Sequence, residues 1–392
     1  MIISFKNTVS LSEMNNKLRL HNTLIVIGKD ALLHLRDFIT HSTHTKIFVF
    51  VDQNTKKYCL PHLLNNNIFS KSFVIVELDS FDMFTNSESL KSMNIVTQIC
   101  EYLLRQNIDK NSLIINLGGG VICDLGGFVA SIIKRGVKFI NVPTTFMSQI
   151  DASIGGKVAV NLNNYKNQIG VFSNPESVVV YPAYNQSLDD FDFHTSLAEV
   201  LKYGLIYNER FWNNLTTDSH SNLYFKNKII TKKSDLKELI LECVKMKISI
   251  VKSDYYDLND RRKLNFGHSI SHALESCFLE ESNSSKSISH GAALALGMIC
   301  ETYLSYKKFK FSKNTLNEIV RKISKLFPPI NYKKVQFSTS FKEYLKSDKK
   351  NKDGVYQFTL IKTIGCAVVN VSVSDLDVLD SLDFYDQIYS DG

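Results

Sequence analysis

The 392-residue chain has no apolar run near the ~18 residues that a membrane-spanning helix needs. Runs such as Leu24–Ile27 and Val178–Val180 stop after a few residues. This excludes a spanning helix, and we expect no membrane partner. The start, MIISFKNTVS, has no basic segment followed by an apolar stretch, so no secretory signal is read and a cytoplasmic protein is expected. Seven cysteines stand at positions 59, 100, 123, 243, 277, 300 and 366, with no pair spaced C-x-x-C. That excludes a zinc ribbon, and the odd count reads as free, mostly buried thiols. Any bound metal must be held by histidine and carboxylate. H-E-x-x-H is absent, against a zinc protease. G-x-G-x-x-G is absent too, so the usual dinucleotide fingerprint is missing.

A strong basic patch is also lacking. The net charge of +7 comes from lysines spread along the chain among asparagines. The stretch Lys346–Lys352 has no aromatics, as a strand-binding groove would need. Lys307–Lys313 does carry Phe309 and Phe311, but it is short, lies between two helical patterns, and reads as a helix end with buried rings. No nucleic-acid partner is expected; a basic pocket for a small anion stays open. Hydrophobic residues at 44% and charged residues at 22% are a globular balance, which excludes disorder over most of the chain.

What is present divides in two. Short Val-, Ile- and Phe-rich segments at Thr23–Ile27, Lys46–Asp52, Ser72–Leu78, Ser112–Leu117, Lys138–Val142 and Ser177–Tyr181 read as strands. Helical patterns at Asp30–Phe38, Ser89–Arg105 and Ile122–Ile133 alternate with them. Alternation predicts a doubly wound parallel sheet, which binds ligands outside the carboxyl ends of its strands. After about residue 185 helical periodicity dominates: Ser196–Ile206, Asp235–Ser253, Lys263–Leu279, Ser287–Lys307, Lys313–Leu326 and Phe341–Lys346. Only Tyr356–Ile361 and Ala367–Val373 look extended, and Asp218–Lys233 and Glu280–Ser289 read as surface loops. The expected fold is α/β + α: a nucleotide-binding α/β domain over 1–184 and a mostly helical domain over 185–392. Nothing assigns a role beyond about residue 375.

Three groups of residues carry chemistry. Gly118-Gly119-Gly120, with Asp124, Gly126 and Gly127, follows an apolar strand and opens a helix. Glycines there let backbone N–H groups approach a diphosphate where the helix dipole favours negative charge. The plain alternative is a turn that packs closely. Pro143-Thr144-Thr145 follows the next strand, and Asp151, Gly155-Gly156-Lys157 and Lys166-Asn167 come after it. These suit a polyhydroxylated anion, or a surface turn. His268 and His272 share a helix face, His290 opens another helix, and Glu199 shares a face with Lys202. Two histidines and a carboxylate on separate helices suit a catalytic zinc with an open position. A lone H-x-x-x-H, however, is more often packing or surface.

Order and context are more specific than spacing. Residues 118–175, together with LAEVLKYGLI (197–206), RRKLNFGHSISHALES (261–276) and SHGAALALGM (289–298), closely resemble the 3-dehydroquinate synthase family of sugar-phosphate cyclases. The resemblance implies a nucleotide-binding α/β domain, a helical metal domain and a homodimer. It implies zinc or cobalt on Glu199, His268 and His290, with His272 at the substrate. It implies NAD held by Asp52, Glu88, Lys91, Gly119, Gly120, Asp124, Thr144 and Thr145, with Lys157 and Lys166 also at the cofactor. Substrate contacts would be Asp151, Lys157, Asn167, Lys202, Lys247, Arg261, Asn265 and His272. Lys349 (or its neighbour Lys350) would bind phosphate, and Arg135 would reach the partner subunit's phosphate site.

The implied reaction converts 3-deoxy-D-arabino-heptulosonate 7-phosphate, a small sugar phosphate, to 3-dehydroquinate and phosphate in the shikimate pathway. The family does this by transient oxidation, elimination, re-reduction and aldol closure. Some positions depart from the family pattern. Ala292 stands where the family usually has glutamate in H-G-E. Asp257 replaces a glutamate, Asp260 stands where leucine is common, and Val158 replaces a frequent threonine. The alternatives are another cyclase, of the sedoheptulose 7-phosphate type, or a catalytically impaired paralogue acting as a binding protein. Polyol dehydrogenases share the fold but typically have an aspartate first ligand and lack this lysine set.

Overall fold

The computed structural model describes residues 16–69, 72–81, 87–163, 165–216, 233–281, 288–332, 338–346 and 355–390. Lys349, Lys350, and most of the loops expected at Asp218–Lys233 and Glu280–Ser289 lie outside them. No described helix is long and apolar enough to cross a membrane. The chain forms two compact units, one of residues 1–160, 170–187 and 233–248, the other of 161–169, 188–232 and 249–392. Each takes a segment from the sequence span of the other, which an uninterrupted division after residue 184 does not contain.

The first unit is built on a seven-stranded sheet. Its strands are β1 (Lys17–Leu20), β2 (Thr23–Ile27), β3 (Ile47–Val51), β4 (Phe73–Glu77), β5 (Leu113–Gly118), β6 (Lys138–Pro143) and β9 (Ser177–Val180), in the order β1-β2-β9-β6-β5-β3-β4. Only β1 runs antiparallel, paired with β2. β3 and β5 are buried at every position, because helices cover both faces of a parallel sheet. Chain order reverses between β3 and β5, so the crevice beyond their carboxyl ends is the switch point of the sheet. Helix α1 (Ala31–His41) packs on one face, and α2 (Gln53–Tyr58), α3 (Leu60–Asn65), α4 (Met93–Arg105) and α5 (Gly120–Ile132) follow β3, α2, β4 and β5 in turn.

One polar chain runs through this core. Asn116 of β5 donates to its register partner Asn141 of β6 at 2.9 Å, and Asn141 donates to the Ser153 carbonyl at 3.1 Å. Both amides are buried, and the two bonds tether the turn Ser148–Ala152 to the sheet. Gly126 of α5 lies over Asn116. A Cβ there would sit 1.9 Å from Asn116 Oδ1, so this glycine serves packing. β7 (Lys157–Leu162) and β8 (Tyr165–Phe172) form a two-stranded ribbon whose tip, 161–169, belongs to the second unit.

The second unit is mostly helical: α6 (Asp190–Tyr207), α7 (Glu209–Thr216), α9 (His268–Glu281), α10 (His290–Phe309), α11 (Lys313–Leu326), α12 (Thr339–Lys346) and α13 (Asp375–Ser390). A long helix, α8 (Lys233–Ser253), precedes the turn Asp260–Asn265. β10 (Tyr356–Thr363) and β11 (Cys366–Val373) pair antiparallel. Two close approaches set the geometry of the unit. A Cβ on Gly291 would lie 2.0 Å from the Thr195 carbonyl oxygen of α6, and one on Gly297 would lie 1.9 Å from the Gly267 oxygen. These glycines let α10 press against α6 and against the start of α9.

The tail has a structural role that the sequence did not disclose. Val378, Leu382 and Tyr385 of α13 are buried, and Phe384 stacks on Tyr303 of α10 with ring centroids 4.3 Å apart. Lys307 and Lys308 pair with Asp380 at 2.8 Å and Asp377 at 3.3 Å. Two of the charges in the basic stretch Lys307–Lys313 thus meet the acidic tail helix. Phe309 and Phe311 are half-buried rather than buried.

Candidate functional site

In the first unit the expected cofactor residues collect at the carboxyl edge of the sheet. Asp52 directly follows β3 and caps α2, accepting from the Thr55 N–H at 2.7 Å. Gly119 and Gly120 follow β5, Gly119 being the cap residue of α5, so that helix points its N-terminus out of the strand edge. Thr144 and Thr145 follow β6. The Thr144 N–H donates to the Gly118 carbonyl at 3.0 Å, and a Cβ on Gly119 would meet Thr145 Cγ2 at 3.0 Å. Glu88 lies in the turn Ser87–Leu90, three residues before buried Lys91.

Lys91 Nζ donates to Asp124 Oδ2 at 2.8 Å. Burial pushes the Asp124 carboxyl up, against the pull of Lys91. Lys247 of α8 adds to the positive field at Asp124 and is ion-paired with Asp151 of the turn Ser148–Ala152. Cations and carboxylates thus alternate through Lys91, Asp124, Lys247 and Asp151. Arg135 is exposed in a left-handed connection with φ 60° after α5, and Lys157 is exposed at the start of β7.

In the second unit Glu199, His268 and His290 offer donor atoms that all lie within 4.8 Å of one another. His268 Nε2 is 3.3 Å and His290 Nε2 3.1 Å from the same oxygen, Glu199 Oε1. Both rings are held from behind. His268 Nδ1 meets the Phe266 carbonyl at 3.1 Å, and His290 Nδ1 meets Glu275 Oε1 at 2.8 Å. Acceptors on Nδ1 leave an Nε2 lone pair facing Glu199 on each ring. Lys202, one turn along α6, is buried and ion-paired with Glu199.

Burial opposes the Glu199 charge, but Lys202 and His268 outweigh it and hold the carboxyl well below its usual range. Burial and then Lys202 lower His268. His290 goes the other way: burial opposes its charge, yet Glu275 and Glu199 push it up to about 10. Two carboxylates therefore enclose the His290 ring, where positive charge is favoured. Two nitrogens and one oxygen, with no thiolate, suit zinc or cobalt and leave a coordination position open. His272 stacks edge-on to His268 with centroids 5.1 Å apart, and burial, then His268, lower it to about 3. It is neutral at pH 7.

Other expected residues are placed differently. Lys166, on the ribbon tip, pairs with Glu275 at 3.4 Å. Asn167 is exposed, with φ 53°, and its N–H donates to Asn161 Oδ1 at 2.9 Å. Arg261 is 1% exposed, and its Nη1 donates to the Tyr255 carbonyl at 2.6 Å. Asp254 accepts from the backbone of Leu258, Asn259 and Arg261 and so shapes the loop that carries the guanidinium. Asn265 closes the same turn, half-buried.

Two carboxylates were not singled out from the sequence. Glu275 lies seven residues after His268, two turns along the same face. Glu301 lies eleven after His290, three turns along, and its Oε2 accepts from the Gly267 N–H at 2.6 Å. Extending the helical period from each histidine would have found both.

Comparison with known proteins gives the family. Residues 82–195 match the family model of the 3-dehydroquinate synthase N-terminal domain, and 196–351 that of the C-terminal domain. The chain is 36% identical over 363 residues to the 3-dehydroquinate synthase of Parabacteroides distasonis, covering 92% of this chain and 97% of that one. It is 38% identical to that of Clostridium tetani, covering 76% and 77%. Among solved structures, 2-deoxy-scyllo-inosose synthase complexed with carbaglucose-6-phosphate, NAD+ and Co2+ superposes with a TM-score of 0.77. It is 19% identical, with 93% and 99% of the two chains covered. The 2-epi-5-epi-valiolone synthase of Streptomyces hygroscopicus, with NAD+ and Zn2+ bound, gives 0.77 at 19% identity over 99% of each chain. These structures share the fold. The chain belongs to the 3-dehydroquinate synthase family.

Proposed function

We propose that this enzyme converts 3-deoxy-D-arabino-heptulosonate 7-phosphate to 3-dehydroquinate and phosphate, within aromatic amino-acid biosynthesis, as a cytoplasmic homodimer. The observation that carries the reading is the Glu199–His268–His290 cluster, both imidazoles turning Nε2 to one carboxylate oxygen, in a chain of this family. When bound, NAD would supply reversible hydride transfer at the substrate C5, and a divalent zinc or cobalt ion would supply polarisation of the reacting oxygen.

The residues of the chain do the rest. Glu199, His268 and His290 would hold the ion, and Lys202 balances the charge on Glu199. Gly119 and Gly120 would give backbone N–H groups to the cofactor diphosphate. Asp52, Glu88, Lys91, Asp124, Thr144 and Thr145 would hold its other polar groups, with Lys157 and Lys166 assigned beside them. A C5 ketone acidifies the neighbouring C–H, so phosphate leaves and takes that proton. Asp151, Lys157, Asn167, Lys202, Lys247, Arg261, Asn265 and His272 would hold the polyol and its carboxylate through ring opening and aldol closure. Neutral His272 would exchange hydrogen bonds with hydroxyls without adding charge. Lys349 would bind phosphate, as would Arg135 toward the other subunit.

The test uses purified protein with the heptulosonate phosphate and catalytic NAD. Phosphate and dehydroquinate should appear one for one, chelation should abolish both, and Zn²⁺ or Co²⁺ should restore them. NADH accumulating with turnover, or activity surviving exhaustive chelation, overturns the reading. Faster turnover of sedoheptulose 7-phosphate would favour another cyclase.

A further inference from the structure

Glu275 has no part in the reaction above, yet it is a carboxylate only 3% exposed in the middle of α9. Burying a charge there costs several kcal/mol unless partners compensate it. It has two on opposite oxygens. Oε1 faces His290 Nδ1 at 2.8 Å, and Oε2 faces Lys166 Nζ at 3.4 Å. Lys166 comes from the ribbon tip, where the neighbouring Tyr165 packs edge-on to Tyr344 of α12, centroids 5.1 Å apart. The tip thus has its own attachment within the unit. His290 is the more exposed of the two imidazoles and opens its helix, so it is the ring with less packing to fix its plane. Ala292, next but one along α10, offers no rival carboxylate.

We infer that Glu275 is the positioning residue of the metal site: it fixes the tautomer and plane of His290, with Lys166 balancing its charge from the ribbon tip. A carboxylate acceptor on Nδ1 keeps the proton on that side and makes Nε2 a stronger donor. His268 receives the weaker form of the same support from a backbone carbonyl. The ribbon tip is then tied to the metal centre by one chain, Lys166 to Glu275 to His290 to Glu199. The inference rests on the reading of Glu199, His268 and His290 as ligands.

The experiment measures metal affinity by chelator competition on the folded, full-length protein, together with the visible spectrum of the Co²⁺-loaded form. Wild type is compared with Glu275→Gln, Glu275→Ala and Lys166→Met. Glu275→Ala should weaken metal binding roughly 10- to 100-fold, the usual effect of losing such a support. Glu275→Gln keeps an acceptor but not the charge and should lose less; Lys166→Met should lose least, in the same direction. The cobalt bands should shift in both Glu275 variants, which a loss of packing alone would not produce. Folded Glu275→Gln and Lys166→Met with wild-type affinity and spectrum overturn the inference. If neither Glu275 variant folds, Lys166→Met decides: weakened binding supports it and unchanged binding overturns it. Wild type that binds no metal would instead overturn the ligand assignment.

Discussion

Gly291 is the position where the metal site is most exposed to a single added methyl. A Cβ there would lie 2.0 Å from the Thr195 oxygen and 2.7 Å from the Thr195 carbonyl carbon, whereas ordinary contact begins at 3.4 Å. The obstructing atoms are backbone of α6, so no side chain can swing aside. In Gly291→Ala, α10 must draw back from α6 by more than an ångström. His290 precedes this glycine and Glu199 lies one turn beyond Thr195, so the 3.1 Å approach of the two ligands opens with it. Overpacking of this kind costs about 1–3 kcal/mol. At ~2–4 °C per kcal/mol for a unit of this size, the melting temperature should fall by roughly 2–12 °C. Ligand distances tolerate only about 0.2 Å, so metal affinity should fall about tenfold or more. Thermal melts of chelated and metal-loaded protein, with chelator competition, read both quantities. Gly120→Ala is the control. Its Cβ would meet only the Ala152 methyl, at 3.3 Å, in the other unit, and metal affinity should not change. Gly291→Ala with wild-type melting and metal affinity would refute the argument that this contact sets the ligand distance.

Arg261→Lys keeps charge but loses the planar fork that would grip the substrate carboxylate while Nη1 holds the Tyr255 carbonyl. One charge-assisted bond of about 1.5–3 kcal/mol predicts a fall in kcat/KM of roughly 10- to 150-fold, with metal and NAD binding unchanged; wild-type kcat/KM would remove Arg261 from the substrate. Asp151→Asn removes the carboxylate charge that pairs with Lys247 and should lower kcat/KM roughly 10- to 100-fold at unchanged metal affinity, checked by steady-state kinetics beside chelator competition. Leu382→Ala in α13 removes a fully buried side chain and should cost about 2–5 kcal/mol in denaturant unfolding; an unchanged midpoint would mean that the tail helix contributes no stability.

Six sheet strands were legible to within a residue or so because buried parallel strands are unbroken runs such as Ile47–Val51 and Ser177–Val180. What failed was mixed in character. β1 is four residues with only Leu20 buried, and β8 carries Lys166 and Asn167, which suited an anion site or a surface turn. α13 was lost among its aspartates, although Val378, Leu382 and Tyr385 fall at helical spacing. In the site, His268, His272 and Lys202 were visible through local periodicity. The partnership of Glu199 with two histidines some seventy and ninety residues away was not. It depends on tertiary packing, and only the family resemblance supplied it.

That dependence explains why the site's supports are less visible than its ligands. Each candidate ligand sits on a helix that local sequence can form unaided, so nothing in those helices requires the three to meet. The meeting is enforced by absences, the missing side chains of Gly291 and Gly297, where α10 touches the backbones of Thr195 and Gly267. Glu301 then accepts from the Gly267 N–H, and Glu275 holds His290, each carboxylate a whole number of turns from a histidine of its own helix. A carboxylate at such a spacing looks like a solvated charge until the partner helix is known to cover that face. Both are nearly or fully buried, and a charge is kept in such a place only where its partners repay its desolvation. At Glu275 the partners are the ring of His290, a candidate ligand, and Lys166. Lys166 comes from the ribbon tip, so the segment that suited an anion site or a surface turn contributes to the electrostatics of the metal centre.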